Sequence, residues 1–448
     1  MPPGAARQAA ARALLDTVGV TLAGAAEPAA RIVQQVVERD GSGPCRIAGT
    51  GLRATASNAA LANGTAAHAL DYDDMCFVSL AHPSAPLVAA ALAAAEDTGA
   101  SGRALLDAYI VGFELEGRLG RAMNPRHYQR GWHCTSTLGT IGAAAAASRL
   151  LGLDAAATGH AIAIAASEAS GLKENFGTMV KPLHAGLAAR NGILAAQLAK
   201  AGMTASAAAI DGPQGFLAAM DSERPSLNAF AADLGTRWEI VETGITVKLY
   251  PSCAGTHPTL DALLDLKRRE GFAADDVEAI EVGVDPIVPT ILIYNTPSNG
   301  LEGKFSMPFC AAAAVVRGHV GIETFAGAQL RDPEILAMQA RITMRVDSTL
   351  DASAPSLTQA KVTVRLCDGR VLIASANGAR GYPERPASDA ELAAKFTSCA
   401  TQTLSPVQAE QALAMLREIE SVEDVRALTA LLVVEARPEG RALRSSRT

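Results

Sequence analysis

Residues 131–147 read Gly131-Trp132-His133-Cys134-Thr135-Ser136-Thr137-Leu138-Gly139-Thr140-Ile141-Gly142 and then five alanines. Alanine has the highest helix propensity, and its small side chain lets a helix lie close to its neighbours. The stretch therefore predicts a tightly packed helix that opens on a polar, histidine-bearing turn. A similar run fills residues 89–95. Up to about residue 240, helix-forming stretches alternate with Gly, Pro and Asp clusters at 41–51, 83–86, 124–131 and 212–215. The N-terminus carries arginines and an apolar run that imitates a secretory signal. Asp16 interrupts that run, and Ala11, Leu14, Leu15, Val18 and Leu22 read better as one face of an amphipathic helix.

Near residue 244 the texture changes. Apolar residues alternate at 280–284 and 342–346, as in half-buried strands. Two more strand-like runs, 361–366 and 370–374, flank Asp368 and Gly369, a pair that supplies the positive φ angles of a tight hairpin turn. Helical stretches at 259–270 and 308–317 lie among them. The tail returns to helix. Ser388 with Glu391 makes a capping box, and Ser405 with Gln408 makes another that has Pro406 at the first helical position. The expected class is mainly α, with a helical domain over 1–243, a smaller α+β domain over 244–397, and helices over 398–448 that close back on the first domain. No internal repeat stands out.

Two domains suit 448 residues, more than one ordinary core accommodates. With 49% apolar and 19% charged residues there is material for a large interior. A net charge of −7 and an aromatic content of 4% argue against nucleic acid as a partner. No uninterrupted apolar run is long enough to predict a membrane span. The seven cysteines are scattered and never spaced CxxC, which favours a reducing cytoplasm over a disulfide or zinc framework. The patterns GxGxxG after a strand, GxxxxGK[ST], GxSxG and HExxH are missing, which disfavours a Rossmann site, a P-loop and a serine-hydrolase elbow.

Four polar clusters interrupt the apolar background. In the first, His68, Asp71, Tyr72, Asp73 and Asp74 precede His82, Pro83 and Ser84. Three carboxylates in four residues repel one another, so at least one should meet a cation or a donor. A solvated loop, a helix-end cap and a divalent-metal site on the Asp groups and His82 are competing readings. The second cluster is the turn His133 to Thr137, where a helix N-terminus suits a carboxylate ligand. Alternatively, Thr135 or Ser136 caps the helix while His133 packs locally. The third, Asn175 to Gly186, sets Lys181 ahead of Pro182 at a helix start, where the dipole disfavours a cation unless an anion joins it. The fourth, Thr246 to Cys253 with Lys248, followed closely by Thr256, His257 and Pro258, lies at the domain junction, where ligand clefts form. For each lysine a surface salt bridge is the plainer reading.

Taken in order, NGTAAHALDYDD (63–74), HPS (82–84), GWHCTSTLGTIGAAAAA (131–147), ENFGTMVKPLHAG (174–186), VKLYPSCAGTHPTLDAL (247–263) and KFSMPF (304–309) resemble the MmgE/PrpD family. The segment 381–396, with Pro383, Pro386, Lys395 and Phe396, resembles it too, so the likeness covers almost the whole chain. The resemblance implies a large all-helical domain with an inserted α+β lid, a homodimer, a pocket between the two domains, and no metal or cofactor. Carried over residue by residue, it implies a polar lining of Asp71, His82, His133, Lys181 and Lys248. Thr135, Phe309, Met75 and Tyr72 are the further candidate substrate contacts.

The family's activities include 2-methylcitrate dehydration, cis-aconitate decarboxylation and iminodisuccinate epimerisation. All pass through enolate-like species, which fixed cations and N–H donors stabilise. Lys181 and Lys248 are then expected to bind carboxylate and enolate, His82 and His133 to carry protons, and Asp71 to orient or tune a neighbouring cation. Three positions depart from the family pattern. Met75 stands where a threonine is common, Leu187 where a basic residue follows HAG, and Phe309 where decarboxylases carry a tyrosine. These losses point to a small carboxylate substrate with fewer carboxylates, or to a changed reaction. Tyr72, Tyr250 and Tyr294 are the phenols available in exchange. The expected activity is dehydration of a small hydroxy-carboxylate. Epimerisation or decarboxylation is the alternative, and a non-catalytic binding homologue the further one.

Overall fold

A computed structural model describes residues 2–220, 231–351, 354 and 357–434. It is mainly α. The first part runs through α1 (Gly4–Gly24), α2 (Pro28–Arg39), the short ribbon β1 (Cys45–Arg46) and β2 (Arg53–Ala54), and α3 (Ala56–Ala69). There follow α4 (Ser84–Thr98), α5 (Gly102–Met123), α6 (Arg126–Gln129), α7 (Cys134–Leu150), α8 (Ala155–Glu168) and α9 (Val180–Lys200). The alanine run lies inside α7, which packs on α5, α8 and α9. Small residues set the spacing. A Cβ on Gly186 of α9 would stand 2.3 Å from the Leu61 carbonyl of α3, and one on Gly192 would stand 2.4 Å from Cβ of Ala143 in α7.

Helix α1 forms as expected, yet it is not amphipathic, because every residue from Ala13 to Gly24 is buried. Other helices cover it on all sides, so no polar face is needed. Asp16, which breaks the apolar run, is itself buried, with Nζ of Lys395 at 2.7 Å.

Beyond residue 244 come α10 (His257–Glu270), β3 (Val277–Val284), α11 (Met307–Arg317), α12 (Pro333–Gln339), β4 (Ile342–Val346), β5 (Gln359–Leu366) and β6 (Val371–Asn377). The sheet order is β4-β3-β5-β6. Strand β3 runs parallel to β4 and antiparallel to β5, with Ile280 between Ile342 and Val364. Gly369, at φ 88°, lies in the turn from β5 to β6, but Asp368 keeps a negative φ, so only the glycine of the expected pair is left-handed. Helix α10 covers β5 and β6. The tail comprises α13 (Asp389–Ala400), α14 (Pro406–Arg417) and α15 (Arg426–Leu431). Both capping boxes form at its helix starts. Helix α13 lies along α1.

One large apolar cluster joins α1, α4, α5 and the tail, and a second runs from the sheet to Met75, Leu119 and Leu138. No single described helix is long and apolar enough to cross a membrane; α1 and α2 meet that test only jointly, across an 85° bend. All seven cysteines are free thiols.

Candidate active site

Helix α3 ends with His68 in its last turn. The chain then turns at Asp71, whose φ of 51° is left-handed. Aspartate is among the few non-glycine residues that adopt this conformation readily. Next, Met75 exchanges backbone hydrogen bonds with Thr246, at 2.9 and 2.8 Å. This bridge holds the segment carrying Lys248 against the Asp71 turn. A second bridge, Cys76 to Ala81, folds the chain back so that His82 faces Asp71 and Asp73. Helix α9 contributes Lys181 in its first turn and His184 three residues later, on the same face.

His133 is the residue before α7, but its side chain does not cap the helix. Nor do its neighbours. The Thr135 hydroxyl accepts the His82 N–H at 3.0 Å, and the Ser136 hydroxyl donates to the His184 carbonyl at 3.3 Å. The capping alternative therefore gives way to a positioning one, in which α7 fixes the backbone of two histidine-bearing segments.

The side chains form one network. Lys181 Nζ donates to Asp71 Oδ1 at 2.6 Å and to His68 Nε2 at 2.9 Å. Lys248 Nζ reaches Asp71 Oδ2 at 3.1 Å and the Asp71 carbonyl at 2.9 Å. An ammonium has no lone pair, so His68 Nε2 must accept, and its proton sits on Nδ1, which donates to Asp73 Oδ2 at 2.8 Å. His82 places Nε2 at 3.6 Å from Asp71 and Nδ1 at 3.3 Å from Asp73. His133 and His184 face each other Nδ1 to Nδ1 at 3.0 Å, which requires one donor and one acceptor.

Burial would raise the Asp71 carboxyl, but the ammoniums of Lys181 and Lys248 overturn this and hold it well below its ordinary range. Asp73 is likewise held down, in its case by His68 and His82 against the effect of burial. Burial pushes all four imidazoles down, His68 to about 4 although Asp73 pulls it up, and His184 to about 4. For His133 the Lys181 ammonium adds to the effect of burial; for His82 burial outweighs the pull of Asp73. At neutral pH the group therefore comprises two carboxylates, two ammoniums and four neutral imidazoles.

Asp71, His82, Tyr128, His133 and Lys181 supply the polar wall of an enclosed cavity of about 30 Å³. Met75, Leu80, Phe176 and Leu357 supply much of the apolar wall. Among the described residues, the non-glycine positions with positive φ are Asp71, Leu80 and Leu357, and all three line this cavity. Such backbone costs about 1–3 kcal/mol per residue and collects at functional sites.

The structure thus brings together five sequence candidates, Asp71, His82, His133, Lys181 and Met75. Lys248 stands behind Asp71, fully buried, and Thr135 acts through the His82 backbone. Phe309 and Tyr72 are not on the cavity wall. The Phe309 ring packs 5.9 Å from Phe325 in the core under α11, because the Ser306 hydroxyl caps that helix and turns Phe309 inward. The Tyr72 ring lies under Lys395, with its hydroxyl on the Leu249 carbonyl. Tyr250 is bonded to Asp261 and Tyr294 to the Phe176 carbonyl. The phenol at the cavity is Tyr128, which no spacing argument singled out. Asp73 and His68 were signalled by the acidic cluster itself, and His184 by its place three residues after Lys181.

Ligand atoms of His68, Asp71, Asp73 and His82 all lie within 4.8 Å of one another, a set that could hold a divalent ion. Two ammoniums already sit on that set. An ion there would have to displace Lys181 from both His68 and Asp71 and would still face Lys248.

Residues 1–227 match the MmgE/PrpD N-terminal domain, and residues 250–421 match the MmgE/PrpD C-terminal domain. The chain is 28% identical to the cis-aconitate decarboxylase of Homo sapiens over 449 residues, covering 96% of this chain and 91% of the relative. It is 28% identical to that of Mus musculus, covering 84% and 78%, and 24% identical to that of Aspergillus terreus, covering 94% and 90%. With both halves matched in order around one buried His, Lys and Asp network, the chain belongs to the MmgE/PrpD family.

Proposed function

We propose that this protein is a lyase that dehydrates a small hydroxy-carboxylate by proton transfer. The observation that carries this reading is the convergence of the Lys181 ammonium and two neutral imidazoles, His82 and His133, on one enclosed cavity. Lys181 binds the carboxylate beside the carbon that loses its proton and stabilises the enolate that forms. His82 takes that proton, and the resulting imidazolium lies between the Asp71 and Asp73 carboxylates. His133 gives a proton to the departing hydroxyl, so that water leaves and a carbon–carbon double bond remains. His184, hydrogen-bonded to His133, replaces that proton and takes one up from solvent as His82 releases to solvent the proton it received, so both histidines end neutral. Lys248 positions Asp71 and has no route to the substrate. In this reading the Lys181 ammonium supplies the positive charge at the substrate and no metal is called for.

The names of the relatives favour a second reading, loss of carbon dioxide from an unsaturated acid. There the electron pair left on carbon is stabilised by Lys181, and Tyr128 or His133 returns a single proton. The phenylalanine at position 309 carries no weight against it, because that side chain packs away from the cavity.

Incubation of small hydroxy-acids and, in parallel, small unsaturated di- and tricarboxylic acids in deuterium oxide, followed by NMR, separates the readings. Dehydration predicts alkene signals, and decarboxylation predicts bicarbonate with deuterium at the carbon that lost it. Hydrogen exchange beside the carboxylate with neither product would leave epimerisation and end both proposals. Exhaustive dialysis against EDTA should leave the rate unchanged; a loss restored by a divalent ion would overturn the metal-free mechanism.

A further inference from the structure

The catalytic cavity has room for about one water molecule. Two further cavities adjoin it in turn through shared wall residues. A constriction of about 10 Å³ shares Asp71, Lys181 and Phe305 with it. The far side of that constriction shares Ala69, Gly177, Thr178, Pro182, Leu301 and Lys304 with a chamber of about 750 Å³. The chamber lies between the start of α2, the end of α3, the turn before α9 and the segments at 299–304 and 322–326. Ligand pockets for small molecules fall in this size range.

Lys304 stands where chamber and constriction meet. It is 4% exposed, and its Nζ donates to the carbonyls of Leu70 at 2.7 Å and Pro251 at 2.8 Å, above the Phe325 ring. An ammonium carries three donors, and among the described residues no carboxylate lies within ion-pair distance of this one, Asp71 and Glu27 acting on it only from farther off. A buried cation with no counter-ion in direct contact is costly, which makes an anion at that point favourable. Burial also holds its ammonium down, to about 8, as expected for a cation waiting for a partner. The rest of the chamber is largely apolar, with Met179, Leu301, Ile322 and Phe325 on its wall. Glu27, Glu302 and Glu323 line it as well and repel additional negative charge.

We propose that this chamber is the access route and holding site for the substrate, and that Lys304 receives one carboxylate there before it passes Leu301 and Phe305 to Lys181. The ligand it fits is a small mono- or dicarboxylate with an apolar arm. This rests on the small-carboxylate reading above, but its test needs no turnover. The probe is methylsuccinate, which lacks a hydroxyl to eliminate, titrated calorimetrically into the full-length protein. Loss of one charge-assisted hydrogen bond should weaken binding about tenfold or more in Lys304→Met, with Lys304→Arg recovering most of it. Because Lys304 also holds two carbonyls, Leu301→Trp is the companion variant: it fills the chamber end of the constriction, leaves those bonds intact, and should weaken binding comparably.

Binding that is unchanged within about twofold in both variants, or lost only in Lys181→Met, would overturn the proposal. So would failure of the wild type to bind the probe at millimolar concentration. Lys304-dependent binding in a protein that transforms no hydroxy-acid would keep the chamber as a carboxylate site and dismiss the lyase.

Discussion

Asp71 holds two buried ammoniums from a left-handed backbone position. Asp71→Asn keeps a residue that tolerates that backbone and removes only the charge, so Lys181 and Lys248 lose their common counter-ion. Breaking a buried ion pair from one side costs about 3–5 kcal/mol. We expect a loss of that order in urea unfolding, together with loss of turnover; a variant as stable as the wild type would contradict the charge assignment.

Asp74, next to the network, behaves differently. Its carboxylate oxygens meet the Ser84 hydroxyl and N–H, and the Ser84 hydroxyl is 2.6 Å from that of Tyr109. Burial lifts its pKa from 3.8 to about 8, with the Ser84 donor opposing and Asp16 and Asp73 reinforcing the shift. The folded value is the raised one, so the stability Asp74 contributes is complete below the unfolded pKa and is lost as pH rises through about 8. The advantage of wild type over Asp74→Asn should therefore shrink by about 1.4 kcal/mol per pH unit between about pH 5 and 7. A difference that does not vary with pH would show that the carboxyl is not protonated in the fold.

Among the elements, the helices and strands were legible and their surroundings were not. Alternation at 342–346 became β4, and the Asp-Gly pair became the turn between β5 and β6. Pairing then lengthened both hairpin strands past what their own alternation suggested. The expected amphipathic face of α1 did not exist, since burial on all sides is a property of neighbours that no single helix records. The same limit governs the site. Histidines, lysines and aspartates in motifs could be read off the chain, whereas Tyr128 enters only because α6 folds against α7, and Phe309 leaves because α11 turns it inward.

The crossing of α3 and α9 is another contact no local pattern announces. A methyl group on Gly186 would fall within 2.3 Å of Leu61 O and Thr65 Oγ1. Gly186→Ala should cost about 1–3 kcal/mol by overpacking, although alanine is the better helix former. An unchanged unfolding midpoint would mean that the two helices can slide apart.

For the whole molecule, we propose the homodimer that the family resemblance implies. Light scattering should give a particle of twice the 46.1 kDa of one chain, and a monomer at micromolar concentration would refute it. Within the chain, one buried ion pair reinforces the apolar contact between α1 and α13. Asp16 of α1 and Lys395 of α13 meet at 2.7 Å with almost no exposure. Lys395→Met should cost about 3 kcal/mol and loosen the tail, read as faster protease cleavage within α13–α15; cleavage at the wild-type rate would show that apolar packing alone holds it.

That pair also sets a timetable. Its two members are separated by about 380 residues of chain, and a ribosome adding 5–20 residues per second takes on the order of 20–80 s to bridge them. Throughout that interval the growing polypeptide displays α1, buried from Ala13 to Gly24 in the finished fold, without the partner that completes its coat. Shielding of α1 during synthesis is thus completed only when α13, far along the chain, has emerged.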